Sequence, residues 1–290
     1  MLCLKPFTVG AVPHPCGQCL PCRINRRRVW TWRCVLESFL HQDNSFLTLT
    51  YADEFLPVDG SLVPVHLTNF FKRFRKAISP VRVRYFAVGE YGDETFRPHY
   101  HASLFGIGPE YVNVVRSVWS FGFCSLHEFN ERTAQYVSGY VVKKMTASDD
   151  ARLLGRHPEF SRMSRRPGIG AGAMEVIARE LSCNAGLDDL QASGDVPRHL
   201  KMGSRSIPLG RYLRSRLRDE MGIPDEIQDE IRSFSSMERS LEVSALLKRQ
   251  IDLEGSTSTA TARSVTVGSN AGRSASLISR ANIWKKRNVL

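Results

Sequence analysis

Two histidines separated by one residue are the feature of this sequence best suited to chemistry. His99 and His101 lie in the stretch 97–106, a small apolar segment that ends at a glycine. Side chains of an extended strand alternate between its faces, so a strand projects both imidazoles together and turns Tyr100 into a core. Two neutral imidazoles side by side form a metal clamp, although a half-buried strand that merely carries two histidines has the same pattern.

A second candidate motif lies downstream, at residues 136–144. Tyr136, Tyr140 and Lys143 are spaced four and three residues apart, which puts them on one face of a helix. A phenolate near a two-histidine metal site can attack a phosphodiester, so that a phosphotyrosine link stores the bond energy and a free 3′ hydroxyl is released. The competing interpretation is an amphipathic helix that seats both tyrosines in the core.

The amino-terminal segment has the cysteine spacing of a metal site. Four of the seven cysteines lie within its first 22 residues, namely Cys3, Cys16, Cys19 and Cys22. Cysteines two residues apart can reach one tetrahedral ion, and four thiolates would complete a structural zinc site. His14 or Cys34 could substitute for one of them. The alternative is a group of free intracellular thiols near the start of a helix predicted over Asn25–Leu40.

The chain is strongly basic, with a formal net charge of +11 and a pI near 9.5. This balance favours a polyanionic partner, nucleic acid before membrane, because no amphipathic basic helix dominates. No apolar run reaches the length of a membrane span and the amino terminus lacks the layout of a signal peptide, so we expect an intracellular protein. The arginines predicted to contact DNA phosphates are Arg26, Arg27, Arg28, Arg165 and Arg166.

The predicted elements around the two motifs alternate as β-α-β-β-α-β-α. Strands are predicted at residues 46–51, 81–90, 97–106 and 122–129, and helices at 67–78, 107–119 and 131–145. This order is the ferredoxin-like layout with one further helix. The predicted fold class is therefore α+β, an antiparallel sheet with flanking helices and a helical carboxy-terminal extension.

Four segments are predicted along the chain. Residues 1–45 form a Cys-rich basic segment, 46–150 the core that carries both motifs, 151–253 a basic and mainly helical DNA-contacting extension, and 254–290 a Ser/Thr-rich disordered tail. Within the extension, Arg152–Arg166 is interrupted by prolines and predicts a loop that tracks a DNA backbone or serves as a linker.

His99-Tyr100-His101 followed by Tyr136-x-x-x-Tyr140-x-x-Lys143-Lys144 resembles the two-tyrosine HUH-type rolling-circle replication initiators. The resemblance extends to the replication proteins of gokushoviruses, which are small single-stranded DNA phages of the Microviridae. The cysteine cluster, the run 89–92 and the run 160–170 are similar to that group as well, and the resemblance covers roughly residues 1–215. Gly139 departs from the pattern, since relatives often carry lysine there.

The resemblance implies an HUH endonuclease that nicks one strand at a phage origin, leaves a 5′-phosphotyrosine and a free 3′ hydroxyl, and later rejoins the product. It implies a Mg²⁺ or Mn²⁺ ion on His99, His101 and a third ligand, for which Glu90 is placed by position on the neighbouring strand. Lys143 and Lys144 would stabilise phosphate charge. The implied partners are single-stranded and origin DNA, with host helicase and replication proteins, in the cytoplasm of the bacterial host.

Two other functions remain open from the sequence. One is a zinc-bearing DNA-binding protein without chemistry, in which both motifs are core packing. The other is a metal-dependent phosphohydrolase that uses the histidines and water. The tyrosine helix separates the nicking enzyme from both, because a hydrolase needs no phenol and a binding protein needs neither motif.

Overall fold

The computed structural model of the chain describes residues 3–9, 12–139, 150–183 and 195–228. The chain divides into two compact units. One comprises residues 27–186 and 198–217 and contains the histidine and tyrosine motifs; the other comprises residues 1–26, 187–197 and 218–290. The four segment boundaries predicted from composition stay predictions.

Regular structure accounts for most of the described chain. The strands are β1 (Phe7–Val9), β2 (Val12–His14), β3 (Asn44–Thr50), β4 (Arg84–Tyr91), β5 (Pro98–Phe105), β6 (Cys124–Glu128), β7 (Phe160–Met163), β8 (His199–Met202) and β9 (Arg205–Pro208). The helices are α1 (Leu20–Ser38), α2 (Pro64–Ala77), α3 (Val112–Val118), α4 (Glu131–Gly139), α5 (Ala173–Leu181) and α6 (Gly210–Glu220).

Five strands form the central sheet, in the order β6-β3-β5-β4-β7 with every neighbour antiparallel. Taken along the chain, β3, α2, β4, β5, α3 and β6 follow the β-α-β-β-α-β order of the ferredoxin-like layout. The third strand of that set, β5, lies between the first and the second. The predicted α+β class, with an antiparallel sheet and flanking helices, is confirmed.

One face of the sheet packs against α2 and α3. Helix α2 begins at Pro64, whose fixed φ suits a first helical position. Its apolar residues recur at helical spacing and are fully buried, as Phe70 and Phe74 show, together with Tyr100 from β5. Removing a buried phenylalanine side chain typically costs about 3–5 kcal/mol. These aromatics therefore form core, as predicted, and do not stack on bases.

The opposite face packs against α1 and α4. Trp32 and Val35 from α1, Val137 from α4, and Phe86 and Phe105 from the sheet form a second buried cluster. Because strand side chains alternate, this is also the face toward which His99 and His101 project. The sheet therefore separates a purely structural layer from the layer that carries the candidate site.

The carboxy-terminal part of α1 is fixed by a buried carboxylate. Glu37 accepts hydrogen bonds from the Arg84 side chain on β4 and from the Gly170 backbone amide at 2.6 Å. Arg33 donates to the Ile169 carbonyl at 2.9 Å. The run 160–170 therefore clasps α1 against the sheet, which gives that part of the motif a structural role.

The prediction of a loop over Arg152–Arg166 is wrong in its second half. Phe160–Met163 forms β7, which pairs with β4 at the sheet edge. A strand of four residues with two polar positions is too short to give a clear alternating pattern. The extension also contains a β8–β9 hairpin at residues 199–208, where no strand was predicted.

Helical prediction in the extension holds where the structure describes it. Helix α5 falls within the predicted stretch 171–193, and α6 begins close to Pro208 as expected. The predicted disordered tail at 254–290 lies outside the described residues. Among the described helices, none is long and apolar enough to cross a membrane.

Candidate functional site

Strand β5 sets the position of both histidines. His99 and His101 project from one face with their rings nearly parallel, at 6° and 6.3 Å between centroids. Tyr100 turns to the other face, where it is 1% exposed. This alternation is the arrangement predicted from the sequence. Burial lowers the pKa of His99, so the neutral imidazole that can ligate a metal is favoured.

Strand β4 brings Glu90 to the same place. Glu90 lies opposite His99 in the β4–β5 register, and its Oε1 lies 3.0 Å from Nε2 of His101. Both of these groups are buried, with 4% and 6% exposure respectively. The position that the sequence assigned to Glu90, on the neighbouring strand beside the histidines, is therefore correct.

The residues that flank Glu90 each have a packing reason. A Cβ on Gly89 would come within 2.6 Å of the Phe160 ring, so the glycine allows β7 to pack there. Tyr91 donates from its hydroxyl to the His157 carbonyl at 2.7 Å. A Cβ on Gly92 would lie 3.4 Å from Cε1 of His99. Only Glu90 of this run thus offers a ligand atom to the histidines.

Thr48 on β3 holds the other nitrogen of His101. Its Oγ1 lies 2.9 Å from Nδ1, and the two residues are directly paired in the β3–β5 register. A hydroxyl can donate or accept, so it serves both useful states of the ring. With Nε2–H donating to Glu90, the hydroxyl donates to Nδ1; with the Nε2 lone pair engaged by a metal, Nδ1–H donates to the hydroxyl.

Tyr136 lies beside the histidines. Its ring meets the His101 ring edge-on at 5.2 Å and 87°, and it meets Phe46 in the same way at 5.8 Å. Phe46 itself stacks on His101 at 5.6 Å. Buried Ala134 and Val137 seat α4 on the sheet, while Tyr136 remains 41% exposed. The first motif tyrosine is thus fixed near the candidate ligands and open to a large substrate.

Tyr140, Lys143 and Lys144 lie outside the described residues. Their placement on the face of Tyr136 stays a prediction from helical spacing. Sequence reasoning missed Thr48 and Phe46, although both contact His101. Their only signal would have been the pairing of β3 with β5, and strand register is not readable from the two segments alone.

The predicted DNA-contacting arginines fall into two groups. Arg26, Arg28, Arg165 and Arg166 are exposed. Arg27 instead reaches α4, where its Nε donates to the Gln135 carbonyl at 3.1 Å. A Cβ on Gly139 would lie 3.6 Å from its guanidinium carbon, so a lysine at 139 would bring a second cation beside Arg27.

The four amino-terminal cysteines converge in the unit that contains residues 1–26. Their sulfur atoms all lie within 4.8 Å of one another, and those of Cys3 and Cys19 are 3.8 Å apart. Burial by itself would raise the pKa of Cys16, but amide donors, led by that of Cys19, outweigh it and lower this pKa to about 6. Burial raises the pKa of Cys22.

These thiols are the one group of three or more His, Cys, Asp and Glu side chains that converges closely enough for an ion in the part of the chain that the structure describes. The histidine site is more open. His101 and Glu90 are in contact, whereas the His99 ring stands 6.3 Å from that of His101. Metal binding at the histidines would require His99 to turn toward the other two.

Comparison with known proteins gives a consistent picture. The chain is 31% identical over 179 residues to the replication-associated protein ORF2 of Spiroplasma virus 4, an alignment that covers 54% of this chain and 55% of the relative. It is 34% identical over 164 residues to the replication-associated protein VP4 of Bdellovibrio phage phiMH2K, covering 49% and 52%. It is 30% identical over 160 residues to the replication-associated protein ORF4 of Chlamydia phage 1, covering 48% and 40%.

The chain spans about half the length of these relatives. No solved structure matches it. The family model for the replication-associated protein ORF2 matches residues 44–145, from the first residue of β3 through the tyrosine motif. Residues 44–145 therefore belong to the replication-associated protein ORF2 family, and the resemblance to phage replication proteins predicted from the histidine and tyrosine motifs is confirmed.

Proposed function

We propose that the chain is a phage replication initiator that nicks one DNA strand at the origin by tyrosine transesterification. The observation that carries this proposal is the contact between the Tyr136 ring and His101 at 5.2 Å, on the sheet face shared with His99 and Glu90. A phenol beside two imidazoles and a carboxylate has the groups needed for covalent attack on a phosphodiester. The family match over residues 44–145 supports the same function.

The reaction conserves the number of phosphoester bonds. The phenol loses its proton, its oxygen attacks phosphorus, and the bond from phosphorus to the 3′ oxygen breaks. That oxygen takes up a proton and leaves as a free 3′ hydroxyl, while the 5′ phosphate stays on tyrosine. Attack by a 3′ hydroxyl on the phosphotyrosine reverses the exchange and rejoins DNA. No net hydrolysis or nucleotide cofactor is needed.

The donor set fits Mg²⁺ or Mn²⁺. His99 and His101 would supply imidazole nitrogens and Glu90 a carboxylate oxygen, and the 3.0 Å contact between Glu90 and His101 already pairs two of the donors. Imidazole suits Mn²⁺ better than Mg²⁺, and carboxylate suits both. When bound, a divalent ion polarises the phosphodiester and stabilises the charge that develops on it. Thr48 and Phe46 would orient His101 for this role.

DNA affinity would come from the basic surface. The net charge of +11 favours a phosphate backbone, and exposed Arg26, Arg28, Arg165 and Arg166 are candidate contacts. Arg27 would brace the tyrosine helix through Gln135. Lys143 and Lys144 would stabilise the charge on the phosphate. The expected partners are single-stranded and origin DNA with host helicase and replication proteins, in the cytoplasm of a bacterial host.

A covalent adduct is the decisive test. Oligonucleotides that tile a phage origin region, labelled at either end, are incubated with the protein and Mn²⁺ and resolved under denaturing conditions. We expect one oligonucleotide to give a denaturant-resistant adduct with the 3′-terminal fragment and to release the 5′-terminal fragment with a free 3′ hydroxyl. Cleavage without an adduct would indicate the phosphohydrolase, and retention without cleavage would indicate the binding protein.

Thr48→Val tests the orientation of His101. Valine keeps the shape of threonine but removes the hydroxyl that meets Nδ1, and the loss of such an outer hydrogen bond typically weakens metal affinity about 10–100-fold. We expect the Mn²⁺ concentration needed for half-maximal nicking to rise by about that factor, with little change in the rate at saturating Mn²⁺. Thr68→Val, at an exposed position on α2, is the matched control. An equal rise in both variants would contradict the role of Thr48.

A further inference from the structure

The amino-terminal segment lacks an apolar core of its own. Strand β1 is exposed along its whole length, and β1 and β2 pair over only three residues. So short a hairpin is marginal in water without a further constraint. The feature that draws the segment together is the group of four cysteines, of which Cys3 is 1% exposed.

The thiols come from three places in the segment. Cys3 precedes the β1–β2 hairpin, Cys16 and Cys19 flank a turn, and Cys22 lies in the first turn of α1. The turn contains Gly17 at φ +71, in the left-handed region that favours glycine. It brings Cys16 and Cys19 together, and the hairpin returns Cys3 to them.

The sulfur spacing matches a tetrahedral ion. Zinc–sulfur bonds of about 2.3 Å in a tetrahedron place neighbouring sulfurs about 3.8 Å apart. The Cys3 and Cys19 sulfurs lie at 3.8 Å, and all four lie within 4.8 Å. A disulfide needs a sulfur–sulfur distance of about 2.0 Å and joins only two thiols, so it does not account for the convergence of four.

Backbone amides point at the sulfurs as they do at thiolates. The Cys16 amide donates to Cys3 at 3.2 Å, and the Leu4 amide donates to Cys19 at 3.4 Å. Cys16 receives two such bonds, from the Gln18 and Cys19 amides at 3.4 and 3.3 Å. Neutral thiols are weak acceptors, whereas anionic sulfur attached to a metal is stabilised by such donors.

The surrounding charge suits an anionic centre. Four thiolates around one Zn²⁺ carry a net charge of −2, and the amino terminus of α1 begins beside them, where a negative charge is favoured. The Arg26 guanidinium packs over the Gly17 turn, 3.2 Å from where a Cβ would stand. Arg23 on the same helix is buried at 8% exposure.

We propose that Cys3, Cys16, Cys19 and Cys22 hold one structural Zn²⁺ that fixes the β1–β2 hairpin to the first turn of α1. The site is closed, since all four ligands are protein thiolates and no position is left for a substrate. It is therefore structural and separate in chemistry from the histidine site, whose donors suit Mg²⁺ or Mn²⁺. Binding would couple to folding of residues 3–22, because the four sulfurs converge only when that segment is folded.

Metal content of the full chain tests this directly. Protein purified under reducing conditions without added metal is expected to carry about one zinc ion per chain by elemental analysis. Replacing the zinc with Co²⁺ should give the intense visible bands of tetrahedral cobalt together with sulfur-to-cobalt charge transfer. Neither readout depends on nicking, so the result stands whether or not the proposed nuclease activity is found.

Cys19→Ser is the informative variant and Cys183→Ser, at an exposed thiol, its control. We expect Cys19→Ser to lose most of the zinc, and amide exchange in residues 3–22 to speed up while that of β3–β5 is unchanged. Should Cys19→Ser fail to fold, the wild-type zinc content and cobalt spectrum still decide. Reduced wild-type protein that contains no zinc and takes up no Co²⁺ would overturn the site, as would recovery of Cys3 and Cys19 as a disulfide.

Discussion

The double variant His99→Ala/His101→Ala is expected to lose metal-dependent nicking while it retains most of its affinity for DNA. Both imidazoles project from one face of β5 toward Glu90 and Tyr136, so removing them takes away the nitrogen donors proposed for the ion. Loss of one preorganised electrostatic element typically costs about 10²–10³-fold in rate, and two ligands should cost at least as much. Affinity should persist because phosphate contacts by basic residues supply most of it.

The measurement pairs adduct formation at several Mn²⁺ concentrations with a binding titration at fixed salt. His199→Ala is the control, since it removes an exposed histidine from the β8–β9 hairpin. Thermal unfolding should show that the double variant remains folded, because both histidines lie at the edge of a core formed by other side chains. Nicking by the double variant at a wild-type rate would refute the metal clamp.

The geometry of β5 was predictable because it depends on a local rule. Alternation along one strand places His99 and His101 together and Tyr100 opposite, whichever strands lie alongside. The α+β class followed in the same way, from the order of elements and the short connection between β4 and β5. Glu90 was placed correctly because that connection makes its strand a neighbour of β5.

The contacts of His101 with Thr48 and Phe46 were not predictable. Strand β3 lies about fifty residues earlier in the chain, and a slip of one residue in its register would have turned both side chains to the other face. The same reason applies to Cys3, which joins its three partners only through the β1–β2 hairpin. Strand β7 was missed because its short pattern is indistinguishable from a loop, and its pairing with β4 is a tertiary event.

Tyr136→Phe and Tyr140→Phe are each expected to retain some single-nick activity on a short origin oligonucleotide, whereas the double variant should form no adduct. Tyr136 lies against His101, and a residue four positions further on a helix lies about 6 Å away at Cβ on the same face. Either phenol could therefore approach one phosphate held at one metal. Tyr111→Phe, at a tyrosine outside the site, is the control.

The two tyrosines are predicted to act in alternation. One phenol cleaves and keeps the 5′ end, and its neighbour cleaves the regenerated origin after one round of replication. The free 3′ hydroxyl then attacks the first phosphotyrosine and closes a circle. An enzyme with one tyrosine can make the first nick but has no covalent acceptor for the second, so each single variant should fail to release closed single-stranded circles efficiently in a replication assay. If one substitution removes all adduct and the other leaves circle release unchanged, only one tyrosine is the nucleophile and the alternating scheme is wrong.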